Sequence, residues 1–142
     1  MPMRPPDLDV SSWIILIIDD SPDNIGVAKT VFTYFGAKVY VATNGEEGLL
    51  MLQNIKPTVV LLDISMPVMN GWETLEKIRK DPVLGKIVVI ALTAHAMKGD
   101  RDKAMVAGFD GYISKPFQIL ELVKQVKNIV NGVEQPPTGA SS

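Results

Sequence analysis

Polar residues of the kinds that bind metal ions and phosphate follow four short apolar segments of this sequence. Asp19 and Asp20 follow the first segment, and Asp63 follows the third. Thr93 comes directly after the fourth segment, and Lys115 directly after the fifth. Carboxylates, a hydroxyl and an ammonium group can together hold a divalent cation and an anionic group. They can do so only if the fold brings the ends of these segments together.

The apolar segments are predicted to be the strands of a parallel sheet. Three of them are dense in Ile, Val and Leu with little polar alternation, which is typical of parallel strands covered on both faces. Amphipathic segments with helical spacing lie between them. The predicted strands are 13–18, 38–42, 58–62, 87–92 and 111–114, and the predicted helices are 22–35, 46–55, 71–80, 97–107 and 118–130.

Caps and breakers support these helix bounds. Ser21 can cap a helix that has Pro22 at its first position and Gly36 just past its end. Five strand–helix units in a row predict a doubly wound α/β fold with right-handed crossovers. In such folds ligands lie outside the carboxyl ends of the strands, where the polar residues are. The apolar residues predicted to cluster on one side of the first helix are Val27, Ala28, Val31, Phe32 and Phe35.

Three carboxylates at adjacent strand ends would repel one another. Two charges ~5 Å apart at an effective dielectric constant of ~20 cost roughly 3 kcal/mol. A hard divalent cation relieves this repulsion, and a site of oxygen ligands favours Mg²⁺. With Lys115 and Thr93 beside it, an aspartate in such a site could attack phosphorus and become an acyl phosphate.

Each of these residues also has an ordinary structural explanation. A lone aspartate at a strand end is usually a helix cap or a turn residue. The pair Asp19-Asp20 could complement the amino terminus of the first helix, and Lys115-Pro116 could form a strand-to-helix turn. Their joint placement at four strand ends nevertheless favours a shared site.

Composition limits the possible classes of protein. The chain has 142 residues, of which 46% are hydrophobic and 21% charged, so one globular domain over residues 13–131 is expected. Residues 1–12 and 132–142 are expected to be a flexible leader and a flexible tail. The net charge of −2 offers no basic excess for nucleic acid, and no cysteine is present. Because the apolar segment 13–18 is too short to span a bilayer, a cytoplasmic location without membrane contact is expected.

Four motifs, in this order and spacing, give the chain a specific resemblance. They are ILIIDDSP at 15–22, LLDISMPVMNG at 61–71, ALTAHA at 91–96 and GYISKPF at 111–117. The chain resembles the receiver domain of two-component response regulators, of the CheY-like, single-domain type. The resemblance implies a flavodoxin-like (βα)5 fold with strand order 2-1-3-4-5.

The resemblance also implies a role for each matching residue. Asp63 would be the phosphoacceptor, and Thr93 and Lys115 would bind phosphoryl oxygens. Thr93 and Tyr112 would form the switch that responds to phosphorylation. His95 would flank the phosphate without being catalytic. The implied Mg²⁺ ligands are Asp19, Asp20, Asp63 and the backbone carbonyl of Ser65, and Pro116 is a candidate for a cis peptide bond.

Two kinds of partner follow from the resemblance. A histidine kinase or a histidine phosphotransfer protein would donate the phosphoryl group, docking on the first helix and the loop after the fifth strand. An unidentified output protein would bind the face formed by the fourth helix, fifth strand and fifth helix. The fourth helix is expected to move at modest cost, because its chief apolar anchors are only Met97, Met105 and Val106.

Three alternatives remain open from the sequence. The chain could be a fragment of a larger response regulator or hybrid histidine kinase. It could be a Mg²⁺-dependent phosphatase of the haloacid-dehalogenase type, although that family wants a second aspartate where Ser65 stands, and a substrate cap. A nucleotide binder would need a phosphate-binding loop after the first strand, where the sequence is anionic and contains proline.

Overall fold

Strands and helices alternate along the chain. The computed structural model describes residues 10–64, 70–93, 99–115 and 118–132, without the side chain of residue 119. The bounds of the strands and helices are β1 Ile14–Ile18, α1 Pro22–Tyr34, β2 Lys38–Ala42, α2 Gly45–Met51, β3 Val59–Asp63, α3 Gly71–Lys80, β4 Val88–Thr93, α4 Asp100–Ala107, β5 Gly111–Ser114 and α5 Ile119–Val130.

The five strands form one parallel sheet in the order β2-β1-β3-β4-β5. This confirms the predicted doubly wound fold and its strand order. Since all strands run the same way, their carboxyl ends lie at one edge of the sheet. The registers pair Ile18 with Leu62 and Asp63 with Leu92, so the residues that follow β1 and end β3 and β4 lie side by side.

The sheet is covered on both faces, which explains the continuous apolar strands. In β1, Ile15 and Ile17 pack into a core with α1 and α5. Leu16 and Ile18 point the other way, into a core with α2, α3 and α4. Alternate side chains therefore enter two different cores, so the central strands are apolar up to Asp63 and Thr93 at their carboxyl ends.

The structure corrects one residue of the predicted apolar stripe on α1. Ala28, Val31, Phe32 and Phe35 are buried as predicted, but Val27 is 39% exposed. Val27 lies at the edge of the stripe, where the helix turns from the sheet towards the surface. The N-cap is as predicted, because the Ser21 side chain accepts a hydrogen bond from the Asn24 amide.

The anchoring of α4 also differs from the prediction. Met105 and Val106 are 42% and 88% exposed, so they do not anchor the helix, and Met97 lies outside the described residues. Ala104 is the residue of α4 that is buried against the sheet. A single methyl group buries little apolar area, so α4 is weakly anchored, as expected, but through Ala104 rather than through the predicted residues.

The carboxyl end of α4 is fixed by an arginine of α3. The Arg79 guanidinium donates hydrogen bonds to the backbone carbonyls of Gly85, Ile87 and Gly108. It also forms an ion pair with Asp110 at 2.8 Å. One side chain thus ties α3 to the start of β4 and to the end of α4.

Candidate functional site

Three aspartates converge where β1 and β3 end. Asp19 follows β1 and Asp63 is the last residue of β3, and these strands are hydrogen-bonded neighbours. Carboxylate oxygens of Asp19, Asp20 and Asp63 lie within 4.8 Å of one another. Asp19 and Asp63 are buried and Asp20 is exposed, so the cluster opens to solvent on one side.

Lys115, after β5, is the positive charge of this cluster. Its Nζ lies 2.8 Å from Asp19 Oδ2 and 3.3 Å from Asp63 Oδ2. The side chains are nearly closed to water, with 7% exposure for the lysine and 1% and 5% for the two aspartates. Three carboxylates and one ammonium leave a net charge of −2, which is the charge that one divalent cation neutralises.

The turn after β1 orients Asp19. The Ser21 amide donates to Asp19 Oδ1 at 2.9 Å, while Asp19 Oδ2 faces Lys115. The ordinary explanation for the aspartate pair is thus partly correct, because one oxygen does accept a hydrogen bond at the start of α1. The other oxygen points into the cluster.

The backbone of Asp63 and Ile64 lies close to the start of α3, a contact that sequence reasoning did not identify. A Cβ on Gly71 would lie 2.6 Å from the Asp63 carbonyl oxygen and 2.5 Å from Ile64 Cα. Only a residue without a side chain allows α3 to begin against this backbone. Gly71 stands in a recognised motif, and its role depends on a tertiary distance that spacing does not reveal.

Thr93 and Tyr112 continue the site towards β5. Thr93 ends β4 and is buried, and its carbonyl accepts a hydrogen bond from the Lys115 amide at 2.7 Å. Burial raises the pKa of the Tyr112 phenol, the charge of Asp100 raises it further, and the Thr93 side chain opposes the rise. The phenol is therefore neutral at physiological pH. Among the described residues its oxygen has no hydrogen-bond partner of good geometry.

The donor set fits a hard divalent cation. The side chains of Asp19, Asp20 and Asp63 offer carboxylate oxygens, the ligands that Mg²⁺ and Ca²⁺ prefer. Asp19 Oδ2 is buried, and beyond its ion pair with Lys115 it has no hydrogen-bond partner of good geometry among the described residues. A cation at the cluster would satisfy that oxygen and balance the excess charge. Ser65, which was predicted to add a backbone ligand, lies outside the described residues.

The fold and the acidic cluster are those of a signalling receiver. The response regulator receiver domain model matches residues 15–127, and the chain belongs to this family. It is therefore a response regulator receiver domain of two-component systems. Response regulators partner with histidine kinases. The resemblance stated from the four motifs is confirmed.

Relatives of two sizes share this domain. An uncharacterized 14.6 kDa protein from Leptolyngbya boryana is 37% identical over 113 residues, covering 80% of this chain and 86% of that protein. The response regulator SaeR of Staphylococcus aureus is 33% identical over 121 residues, covering 85% of this chain and 52% of SaeR. The chain thus spans about half the length of the larger relative.

A solved structure adds a metal to the comparison. The receiver domain of the sensor histidine kinase PA1611 from Pseudomonas aeruginosa has a magnesium ion coordinated in its active-site cleft. It is 28% identical, with a TM-score of 0.76, and the match covers 84% of this chain and 98% of that domain.

The structure thus brings together most of the residues that the sequence singled out. Asp19, Asp20, Asp63 and Lys115 share one cluster, and Thr93 lies at the end of the strand next to β3. Ser65, His95 and Pro116 lie outside the described residues. Within the described residues, no helix combines the length and the apolar character that crossing a bilayer requires.

Proposed function

We propose that Asp63 accepts a phosphoryl group from the phosphohistidine of a histidine kinase or a histidine phosphotransfer protein, in a Mg²⁺-dependent reaction. The observation that carries this proposal is the cluster itself, in which three carboxylate oxygens lie within 4.8 Å of one another. Its excess charge and oxygen ligands suit Mg²⁺, which would be held by Asp19, Asp20 and Asp63, with the Ser65 carbonyl as a further ligand.

The reaction is a displacement at phosphorus. A carboxylate oxygen of Asp63 attacks the phosphorus atom, the P–N bond to the donor imidazole breaks, and its electron pair stays on the imidazole nitrogen. The Lys115 ammonium moves from pairing two carboxylates to pairing the new phosphoryl oxygens, and the Thr93 hydroxyl donates to another. Bound Mg²⁺ supplies charge neutralisation at the phosphoryl oxygens.

Phosphorylation is read out through Thr93 and Tyr112. A phosphoryl group on Asp63 gives the Thr93 hydroxyl a new acceptor and draws it away from the tyrosine. The Tyr112 side chain, now 7% exposed, can then repack in the space that Thr93 leaves. Such a group biases an equilibrium between two arrangements, and α4 is the lightly anchored element that can follow it.

The output is proposed to be phosphorylation-dependent binding of another protein, in the cytoplasm and without nucleic-acid contact by this domain. The net charge of −2 supports the last point, since nucleic-acid affinity depends on a basic surface. The relatives include a small protein of 14.6 kDa and the larger regulator SaeR. The full coding sequence of the gene therefore decides whether the domain acts alone or within a larger response regulator or hybrid kinase.

Intact-mass spectrometry tests the proposed phosphoacceptor. The full chain is incubated with acetyl phosphate and Mg²⁺, and it should gain the mass of one phosphoryl group. No adduct should form with EDTA or in Asp63→Asn. Asp102 is an exposed aspartate on α4, so Asp102→Asn should react normally. An adduct that persists in Asp63→Asn would contradict the assignment of the nucleophile.

The same samples separate a switch from a phosphatase. A switch accumulates the adduct and does not hydrolyse added phosphomonoesters. A phosphatase releases inorganic phosphate from phosphomonoesters over many turnovers, and Asp63→Asn abolishes the release. Multiple turnover would overturn the proposal that the chain is a phosphoacceptor rather than an enzyme.

A further inference from the structure

An apolar groove lies between α1 and α5, on the face of the sheet away from the α3–α4 contacts. It has a volume of about 620 Å³. Val27, Tyr34 and Leu120 contribute large apolar surface to it and are 39%, 50% and 51% exposed. The other lining residues are Pro22, Asp23, Gly26, Thr30, Val31 and Phe35. Exposed apolar surface gathered in one groove indicates a binding site.

Val10, the first residue that the structure describes, lies at one end of the groove. Val10 is buried, and its amide donates a hydrogen bond to the Phe35 carbonyl at 3.1 Å. Phe35 lines the groove at the carboxyl end of α1. Val10 is held further by the Trp13 amide, which donates to its carbonyl at 2.9 Å. Residues 1–9 are therefore attached beside the groove.

The length of this segment matches the length of the groove. From Phe35 back to Asp23, twelve helical residues rise ~18 Å. From Val10 back to Arg4, six residues in an extended polyproline conformation span ~19 Å. The segment MPMRPPDLD contains three prolines, which favour that conformation. Arg4 would thus reach the far end of the groove, where Asp23 is exposed.

The chemistry of the segment also matches. Pro5, Pro6 and Leu8 are apolar residues that fall within the length of the groove, and Met3 adjoins Arg4 at its far end. Arg4 is the one basic side chain among residues 1–9, and Asp23 is the acidic residue of the groove lining. Attachment in the same chain gives the segment a high effective concentration at the groove, so modest contacts suffice for occupancy.

We propose that residues 1–9 of this chain occupy the α1–α5 groove, running parallel to α1 with Arg4 beside Asp23. The segment covers Val27, Tyr34 and Leu120 and is a built-in competitor for any protein that docks on this face. This proposal is independent of the proposed phosphoryl chemistry, because neither the groove nor the segment includes a residue of the acidic cluster.

The absence of cysteine from the sequence allows a clean test with one spin label. The full chain carries Met3→Cys with a nitroxide, and paramagnetic broadening of its backbone amides is measured by NMR. Amides of the first two turns of α1 and of Leu120 should lose most of their signal. Broadening confined to Val10 and its neighbours would overturn the proposal.

A mixture of isotope-labelled protein without the nitroxide and spin-labelled protein without isotope distinguishes the occupants. Broadening in this mixture as strong as in the doubly labelled chain would assign the groove to a second copy and overturn the intramolecular proposal.

Three substitutions probe the contact itself. Arg4→Glu and Leu120→Glu should reduce broadening of the Asp23 and Gly26 amides severalfold, whereas Arg4→Lys should retain it. Unchanged broadening in both glutamate variants would also overturn the proposal.

Discussion

Removing the Lys115 charge should turn Asp63→Asn from a nearly neutral substitution into one that stabilises the folded protein. Lys115 Nζ lies 2.8 Å from Asp19 Oδ2 and 3.3 Å from Asp63 Oδ2, with both aspartates nearly closed to water. Lys115→Met keeps the apolar stem and removes the ammonium. Removing one partner of a buried ion pair typically costs about 3–5 kcal/mol, and we expect a loss in that range for the metal-free protein.

The effect of Asp63→Asn should then depend on Lys115. At an effective dielectric constant of ~20, the Asp63–Lys115 attraction at this distance is about 5 kcal/mol, and the Asp63–Asp19 repulsion is about 3.5 kcal/mol. Asp20 is exposed, so its repulsion of Asp63 is close to that in water, about 1 kcal/mol. Attraction and repulsion nearly cancel with the lysine present, so Asp63→Asn should change stability by less than about 2 kcal/mol. Without the lysine only the two repulsions remain, and Asp63→Asn should stabilise the Lys115→Met variant by roughly 4 kcal/mol.

Urea unfolding of the four proteins in EDTA measures this double-mutant cycle. Repeating it with Mg²⁺ should stabilise Lys115→Met more than the wild type, because the site charge falls from −2 to −3 and the cation binds more tightly. An effect of Asp63→Asn that is equal in both backgrounds would refute the reasoning. It would mean that the lysine and the aspartate do not interact electrostatically in solution.

Three further predictions follow from other contacts. Gly71→Ala should destabilise the protein by about 1–3 kcal/mol in urea unfolding and slow phosphorylation by acetyl phosphate, because its Cβ would overlap the Asp63 carbonyl oxygen; unchanged rates would contradict this. Because the Tyr112 pKa is raised in the folded protein, the unfolded state loses its phenol proton first as pH rises, so stability should fall above pH ~10 more steeply in wild type than in Tyr112→Phe, and parallel stability curves would contradict this. Arg79→Lys should cost about 2 kcal/mol in urea unfolding, since an ammonium cannot reach the same carbonyls, while Lys80→Arg, on an exposed pair, should be neutral.

Most of the fold could be predicted because its signals are local. Runs such as 87–92 identified strands, and the predicted bounds of α3 match the structure, with Pro82 shortly after its end. The α2 prediction was too long, since the chain leaves the helix after Met51 and turns before β3. Burial of Val10 was missed, because its partner Phe35 is distant in sequence and no local pattern marks the contact.

The candidate site was predictable for a different reason. Parallel strands place their carboxyl ends at one edge, and the strand order implied by the resemblance makes Asp19, Asp63 and Thr93 neighbours at that edge. What sequence could not give is the geometry, including which carboxylates Lys115 contacts. The close approach at Gly71 and the effect of Asp100 on Tyr112 also depend on tertiary distances.

Chemical trapping of the phosphorylated chain tests the central claim most directly. The protein is treated with acetyl phosphate and Mg²⁺ and then with borohydride, which reduces an aspartyl phosphate to homoserine, and its peptides are sequenced by mass spectrometry. We predict homoserine at position 63 and unchanged aspartate at positions 19 and 20. Homoserine at another position, or none after a mass increase of one phosphoryl group, would contradict the assignment of Asp63 as the phosphoacceptor.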